Sequence, residues 1–180
     1  MTGFVTRGRM GRFEDAVALA ARTGQPADIA AVRRYQSRPG VSMNLEQAVA
    51  ADIGLFVRAG WADGRFESYE FTDIDRTVSA GASLGGKRWG RDSDTLALAF
   101  GVNGASRDRE RFLDAGGLGI LIGDGRLPRP GPEALAETYY DVQLAKPAHL
   151  CFDLQYVSNP GYNRDRGPAV IGAVRLHGQF

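Results

Sequence analysis

Arginine, aspartate and tyrosine side chains recur along this chain in a pattern that could bind a neutral, hydroxyl-rich ligand. A guanidinium group donates forked hydrogen bonds to hydroxyls, and a carboxylate accepts hydrogen bonds from them. If these side chains line a shared aqueous pore, they favour neutral polyols over long apolar solutes. The alternative for each residue is an ion pair that stiffens the wall. The candidate residues are Arg7, Arg9, Arg38, Arg58, Asp73, Asp75, Tyr139, Asp141, Asp153 and Arg175.

Other chemistries receive less support from the sequence. Asp73 and Asp75 stand two residues apart, so on one strand face they could share a proton as the carboxylates of a hydrolase do. Nothing else supports catalysis, and the sequence predicts a protein that is not an enzyme. His149 and His177 lack further histidines or cysteines at ligand spacing, so no metal is predicted. The glycines at 117–123 miss the dinucleotide-binding spacing, and no cofactor is predicted.

β-Strands must position the candidate residues, because most of the chain alternates apolar and polar residues. Successive strand residues point to opposite faces of a sheet, so each run has one apolar and one polar side. Two segments instead have helical spacing, at 12–22 and 106–115. The alternation predicts strands over residues 3–9, 34–47, 55–62, 73–84, 95–103, 136–144, 150–156 and 170–180.

The apolar sides of these strands are predicted to face lipid. They carry almost no ionisable residue, with Arg76 near a strand end as the exception. The last predicted strand ends on Phe180, which suits the aromatic girdle of a membrane β-barrel. Trp61, Tyr35 and Tyr156 are predicted to lie in the same girdles. The alternative is a soluble eight-stranded barrel that turns its apolar sides inward and binds a small apolar ligand.

The lengths of the connections also favour a membrane barrel, which has short turns on one rim and long loops on the other. This pattern requires the glycine-rich stretch at 116–123 to lie in a loop, because it is too short to span a membrane as a tilted strand. The predicted short turns are 48–53, 86–94 and 145–148, and the predicted long loops are 10–32, 63–72, 105–133 and 158–168.

The composition excludes several classes of protein. A net charge of +1 argues against nucleic-acid binding, and no apolar run is long enough for a transmembrane helix. The single cysteine, Cys151, permits no internal disulfide and does not fix the compartment. No apolar segment of a signal peptide follows Arg7 and Arg9, so the chain is either cytosolic or a piece of a longer exported chain. The 180 residues show no linker and are predicted to belong to one domain.

Ordered segments along the chain carry a resemblance to a known family. They are NLEQ at 44–47, GLFVRAGW at 54–61, FTDIDR at 71–76, KRWG at 87–90, GGLGILIGDG at 116–125, ETYY at 137–140 and LAK at 144–146. The most specific is NPGYNRDRGPAVIGAVRLHGQF at 159–180, a C-terminal strand with its preceding loop. Together these segments resemble the OprB-like carbohydrate-selective porin family over essentially the whole chain.

The resemblance implies an all-β fold, namely a 16-stranded transmembrane β-barrel in the outer membrane. It also implies passive diffusion of monosaccharides such as glucose through a polar lumen. The chain supplies about half of those strands, so it is interpreted as the C-terminal half of such a barrel. Half of a wall has two open strand edges, which cannot be left in lipid. The implied partners are sugars, outer-membrane lipid, and either a second copy of the chain or a missing N-terminal half.

Overall fold

One eight-stranded antiparallel β-sheet dominates the computed structural model, which describes residues 1–68, 73–119 and 126–178. Each strand pairs with the next one along the chain. Within the described residues, β1 and β8 do not pair with each other and form the two edges of the sheet. The strands are β1 (Thr2–Met10), β2 (Arg34–Ala50), β3 (Ile53–Ala62), β4 (Arg76–Gly85), β5 (Thr95–Gly104), β6 (Glu133–Ala145), β7 (Ala148–Ser158) and β8 (Ala169–Gly178).

The eight predicted strands are confirmed, and so are the two predicted helices, α1 (Phe13–Thr23) and α2 (Arg107–Asp114). The prediction at 73–84 is wrong at its start, because the strand begins at Arg76 and the preceding residues lie in a loop. Residues 116–119 are not a strand, as predicted. The rest of that glycine-rich stretch lies outside the described residues. So do residues 71–72 of a family-like segment and the predicted C-terminal aromatic, Phe180.

The sheet has two chemically different faces. Residues that stand opposite each other in an antiparallel pair share a face, so the register assigns every strand position. The polar face contains Arg58, which stands opposite both Asn44 and Ser79. The apolar face contains Leu98, which stands opposite both Ala82 and Thr138.

Side chains of the apolar face are exposed rather than packed in a core. Leu98 is 46% exposed, Phe100 55% and Val174 68%. A soluble barrel with its apolar sides inward would bury these side chains, so that alternative does not agree with the structure. The predicted girdle residues Trp61, at 52% exposure, and Tyr156, at 47%, lie on the same face.

The connections alternate in length as predicted. Long loops at 11–33, 63–75, 105–132 and 159–168 leave one rim of the sheet, here called the long-loop rim. Short turns at 51–52, 86–94 and 146–147 join the strands at the opposite, short-turn rim. An antiparallel meander puts every second connection on the same side, so this division follows directly from the strand order.

The long loops fold together into a small packed unit, here called the loop cap, which consists of α1, α2 and the turn Pro160–Tyr162. Its core contains the rings of Phe13 and Phe112, whose centroids are 5.1 Å apart, together with buried Leu113 and Tyr162. None of the helices in the described residues is long and apolar enough to cross a membrane.

Candidate functional site

Arg58 is exposed on the polar face and is held in place by its neighbours. Its Nε donates to Asn44 Oδ1 at 3.1 Å and its Nη2 donates to Glu46 Oε1 at 2.8 Å. The guanidinium carbon lies 4.9 Å from the centroid of the Phe56 ring. That ring lies against Gly81, where an added Cβ would be 2.5 Å from a ring carbon. The absence of a side chain at Gly81 thus lets Phe56 and Arg58 lie along the wall. The remaining guanidinium N–H donors are available to a ligand.

A trough of about 510 Å³ lies on the polar face beside this group. Phe56 and Tyr139 border this central trough, and the carboxylates of Glu46 and Glu137 add acceptors at its edges. Aromatic rings of this kind can cover the apolar C–H surface of a sugar ring. The trough exists because β4 and β5 present only small side chains to this part of the polar face. These are Ser79, Gly81, Ser83, Ala97, Ala99 and Gly101.

Strands β6 to β8 add acceptors and a second arginine to the polar face. Asp153 stands opposite Tyr139 and is 9% exposed. Within the part of the chain that the structure describes, neither of its carboxylate oxygens has a hydrogen-bond partner. Both oxygens are buried, and the Glu137 carboxyl is their neighbour on the polar face. Asp141 instead pairs with His149, with Oδ1 and Nδ1 2.6 Å apart. Arg175 is exposed on the same face in β8.

Two predicted ligand-binding arginines are on the wrong face. Arg7 stands opposite Ser37 and Arg9 opposite Tyr35, which places both on the apolar face. The prediction that they line the polar side is therefore wrong. The physical reason is the phase of β1, in which alternate residues such as Met10 turn to the polar side and are buried there. In a short strand with charges near its end, the sequence alternation alone does not show which set of residues faces the polar side of the sheet.

Asp73, Asp75 and Arg38 form a buried ionic cluster with Arg109 of α2 rather than an open lining. Arg109 donates through Nε and Nη2 to the two carboxylate oxygens of Asp75, each at 3.0 Å, and through Nη1 to Asp73. Its Nη2 also donates to Ser68 Oγ at 3.1 Å. Arg38 donates from the sheet to Asp75 at 2.9 Å. We call these side chains the Arg109 cluster; it ties the loop cap to the sheet.

The Arg109 cluster corrects two predictions about the aspartates. Asp73 and Asp75 are 3% and 4% exposed, so they do not face an open passage. Burial raises the pKa of Asp75, but the hydrogen bonds and charge of Arg109, with the Ser106 N–H and Arg38, outweigh it and lower that pKa overall. A carboxylate held in its charged form by arginine does not share a proton with a neighbour. The hydrolase-like pairing is therefore not formed.

Sequence reasoning missed two residues that organise the site. Arg109 lies in a segment recognised as a charged helix, where its residue type does not distinguish it from the exposed arginines around it. Its amphipathic position was the available signal, since Arg109 shares a helix face with the buried Phe112 and Leu113. Phe56 occupies the same side of β3 as Arg58, where polar residues are expected. An apolar aromatic residue at such a position can indicate a ring exposed on a polar wall.

At the short-turn rim, a group of side chains surrounds Asp94, which lies outside the strands. Tyr140 donates from its hydroxyl to Asp94 Oδ2 at 2.7 Å, and Trp89 Nε1 donates to the Tyr140 hydroxyl at 2.9 Å. The hydrogen bond from Arg91 is the main cause that lowers the pKa of Asp94 to about 2, against the opposing effect of burial. This group anchors the turn that contains the family-like KRWG segment.

We expect the turn to survive acid well below the usual pKa of an aspartate. The folded pKa is lowered, so the contribution of Asp94 is complete above its unfolded pKa of about 3.9 and is lost as the pH falls towards about 2. In a Trp61→Phe variant, Trp89 fluorescence should stay constant through pH 3.9 and change only near pH 2. Asp94→Asn should remove that step. A step near pH 3.9 that Asp94→Asn abolishes would contradict the prediction.

Taken together, the geometry separates the predicted residues into three groups. Arg58, Tyr139, Asp141, Asp153 and Arg175 lie on the polar face of the strands. Arg38, Asp73 and Asp75 belong to the Arg109 cluster, and Arg7 and Arg9 lie on the apolar face. No group of three metal-ligating side chains occurs in the described ranges. A meander with one polar and one exposed apolar face defines the wall of a porin-type β-barrel.

The chain belongs to the carbohydrate-selective porin, OprB family, whose model matches residues 1–180. Among solved structures, it is similar to a high-pH structure of Pseudomonas putida OprB, with a TM-score of 0.78 and 18% sequence identity. The match covers 99% of this chain and 43% of that one, so the chain spans less than half the length of that protein. At this identity, the likeness shows the fold. No protein with a curated description matches the chain.

Proposed function

We propose that this chain forms the C-terminal half of an outer-membrane channel that passes monosaccharides such as glucose by passive diffusion. The observation that carries the proposal is the separation of the two sheet faces. One face exposes Leu98 and Val174, as a lipid-facing wall does, while the other presents exposed Arg58 beside the central trough that Tyr139 lines. In a porin the polar face lines the aqueous passage. Membership of a carbohydrate-selective family agrees with this assignment.

Each residue of the lining has a distinct proposed role. Arg58 and Arg175 donate hydrogen bonds to sugar hydroxyls, and the carboxylates of Glu46 and Glu137 at the edges of the trough accept them. Tyr139 offers its ring to the apolar side of the sugar across the trough from Phe56. These proposed roles use only hydrogen bonds and ring contacts with the sugar, as passive diffusion requires.

The two open edges of the sheet require further strands to pair with them. β1 and β8 each pair on one side with a strand of this chain, and each leaves its other edge without a partner in the described residues. Unpaired backbone groups cannot be left in the hydrocarbon of a membrane. We propose that a further set of strands, forming the N-terminal half of the same barrel, pairs with both edges and closes the lumen.

Single-channel recording tests the role of the two arginines. In a barrel that contains this chain, replacing Arg58 and Arg175 by alanine should weaken the block of ion current by glucose. A donated hydrogen bond of this kind contributes about 1 kcal/mol, so each substitution should lower sugar affinity roughly fivefold. Arg111→Ala, which removes an exposed arginine from α2 in the loop cap, is the matched control and should leave the block unchanged. Unchanged sugar block in the double variant would overturn the assignment.

A further inference from the structure

An apolar groove of about 420 Å³ lies on the apolar face near the long-loop rim. It is distinct from the central trough, because its walls are the outward side chains of β2 to β5. Arg76 has the one charged side chain among the residues that line it. The apolar walls are formed by Val41, Met43, Ala59, Trp61, Val78 and Val102.

Arg76 is held flat along the wall beside this groove. It stands opposite Trp61 on one side and Gly104 on the other. An added Cβ at Gly104 would be 2.4 Å from Arg76 Nε and 2.9 Å from its Cγ, so the missing side chain makes room for the arginine stem. Among the ion pairs found within residues 1–68, 73–119 and 126–178, none involves Arg76. A charge is therefore presented at the head of an apolar groove without a protein counter-ion in those ranges.

The charges on the apolar face have one sign and one location. Within the described strands, the charged side chains on this face are Arg7, Arg9 and Arg76. Arg7 and Arg9 lie in the last four residues of β1, and Arg76 is the first residue of β4, so all three are near the long-loop rim. A face with arginines at one rim, and no carboxylate among its described strand residues, complements a negatively charged membrane surface.

We propose that the groove binds an acyl chain of an anionic, phosphate-bearing lipid whose headgroup is held by Arg76, in preference to a zwitterionic lipid. A guanidinium group binds phosphate through two parallel hydrogen bonds, and its long stem can lie on apolar surface while its charge reaches the headgroup layer. The indole of Trp61, next to Arg76, is the side chain that prefers this interfacial depth. Long loops of outer-membrane barrels are extracellular, so the lipid belongs to the outer leaflet.

This inference rests on the outer-membrane placement proposed above, but its test does not require a conducting channel. The chain has two tryptophans, Trp61 and Trp89, so Trp89→Phe leaves Trp61 as the sole reporter beside the groove. The variant is assembled with a tryptophan-free set of strands that completes its barrel and is placed in mixed micelles. The micelles contain phosphatidylglycerol or phosphatidylcholine brominated on the acyl chain, which quenches indole fluorescence on contact. With Arg76 present, the apparent affinity of the groove for phosphatidylglycerol, measured by quenching, should be roughly fivefold higher than for phosphatidylcholine. This is the effect expected for one arginine at an anionic surface.

Three further variants sharpen the result. Arg76→Gln should abolish the preference, and Arg76→Lys should keep part of it because an ammonium is charged but lacks the guanidinium fork. Arg22→Gln removes the same charge from an exposed position in α1 and should keep the full preference. Each variant is compared only after circular dichroism shows an unchanged sheet.

Several outcomes would overturn the inference. Equal quenching of Trp61 by both lipids would mean that any bilayer lipid fills the groove. Weak quenching by both would mean that protein, such as a second copy of the chain, covers it. A preference that persists in Arg76→Gln would place the phosphate-binding group elsewhere. None of these results would bear on sugar block at Arg58, so failure here is distinct from failure of the channel proposal.

Discussion

Replacing Arg109 by methionine is expected to loosen the loop cap from the sheet. Arg109 is 3% exposed, and its guanidinium group donates hydrogen bonds to both Asp73 and Asp75. Methionine keeps an unbranched apolar stem but removes the guanidinium group and its positive charge from between the buried carboxylates. Breaking a buried ion pair by removing one partner costs about 3–5 kcal/mol, because the remaining charge stays buried. Hydrogen exchange in α1 and α2 measures the expected loss of protection, and protease cleavage of the long loops should rise with it.

The helix itself supplies a matched control for this experiment. Arg111 lies two residues further along α2, and its side chain is 74% exposed. Arg111→Met should change the stability of the cap by less than about 0.5 kcal/mol. Adding Asp75→Asn to Arg109→Met removes one buried negative charge and should recover part of the loss. If Arg109→Met and Arg111→Met gave the same protection, the cluster would not be what holds the cap.

Placing an arginine on either side of β5 is expected to have very different effects. Leu98 is on the exposed apolar face, and its neighbour Ala99 is on the polar face beside the central trough. An arginine on the lipid face of a barrel near mid-membrane costs about 2–4 kcal/mol, whereas the lumen face is in water. Leu98→Arg should therefore lower the free energy of unfolding in lipid by about that amount. Ala99→Arg should leave it nearly unchanged.

Urea unfolding in lipid vesicles measures both variants, in the chain assembled with the strands that complete its barrel. A heat-modifiable shift on a gel gives a second readout of the folded fraction. Ala99→Arg also fills the trough with a long side chain, so it should reduce sugar passage while it leaves stability intact. If Ala99→Arg destabilised the barrel more than Leu98→Arg, the assignment of the two faces would be reversed.

The strands and their faces could be predicted from the sequence because they depend on short-range periodicity. In β5, Leu96, Leu98, Phe100 and Val102 alternate with small residues, and this pattern is enough to assign an apolar side. The division into a long-loop and a short-turn rim then follows from counting residues between strands. The family-like segments added the prediction that these strands belong to a porin, which the family match confirms.

The tertiary structure alone decided which charged residues are open to a ligand. Arg109 meets Asp73 and Asp75 across 36 and 34 residues of chain, a contact that no local pattern encodes. Gly81 accommodates the Phe56 ring only because the register of β3 and β4 brings them together. Periodicity tells which side of its own strand a residue occupies. Whether that side chain is buried, paired or exposed depends on the strand register and on the path of loops distant in sequence.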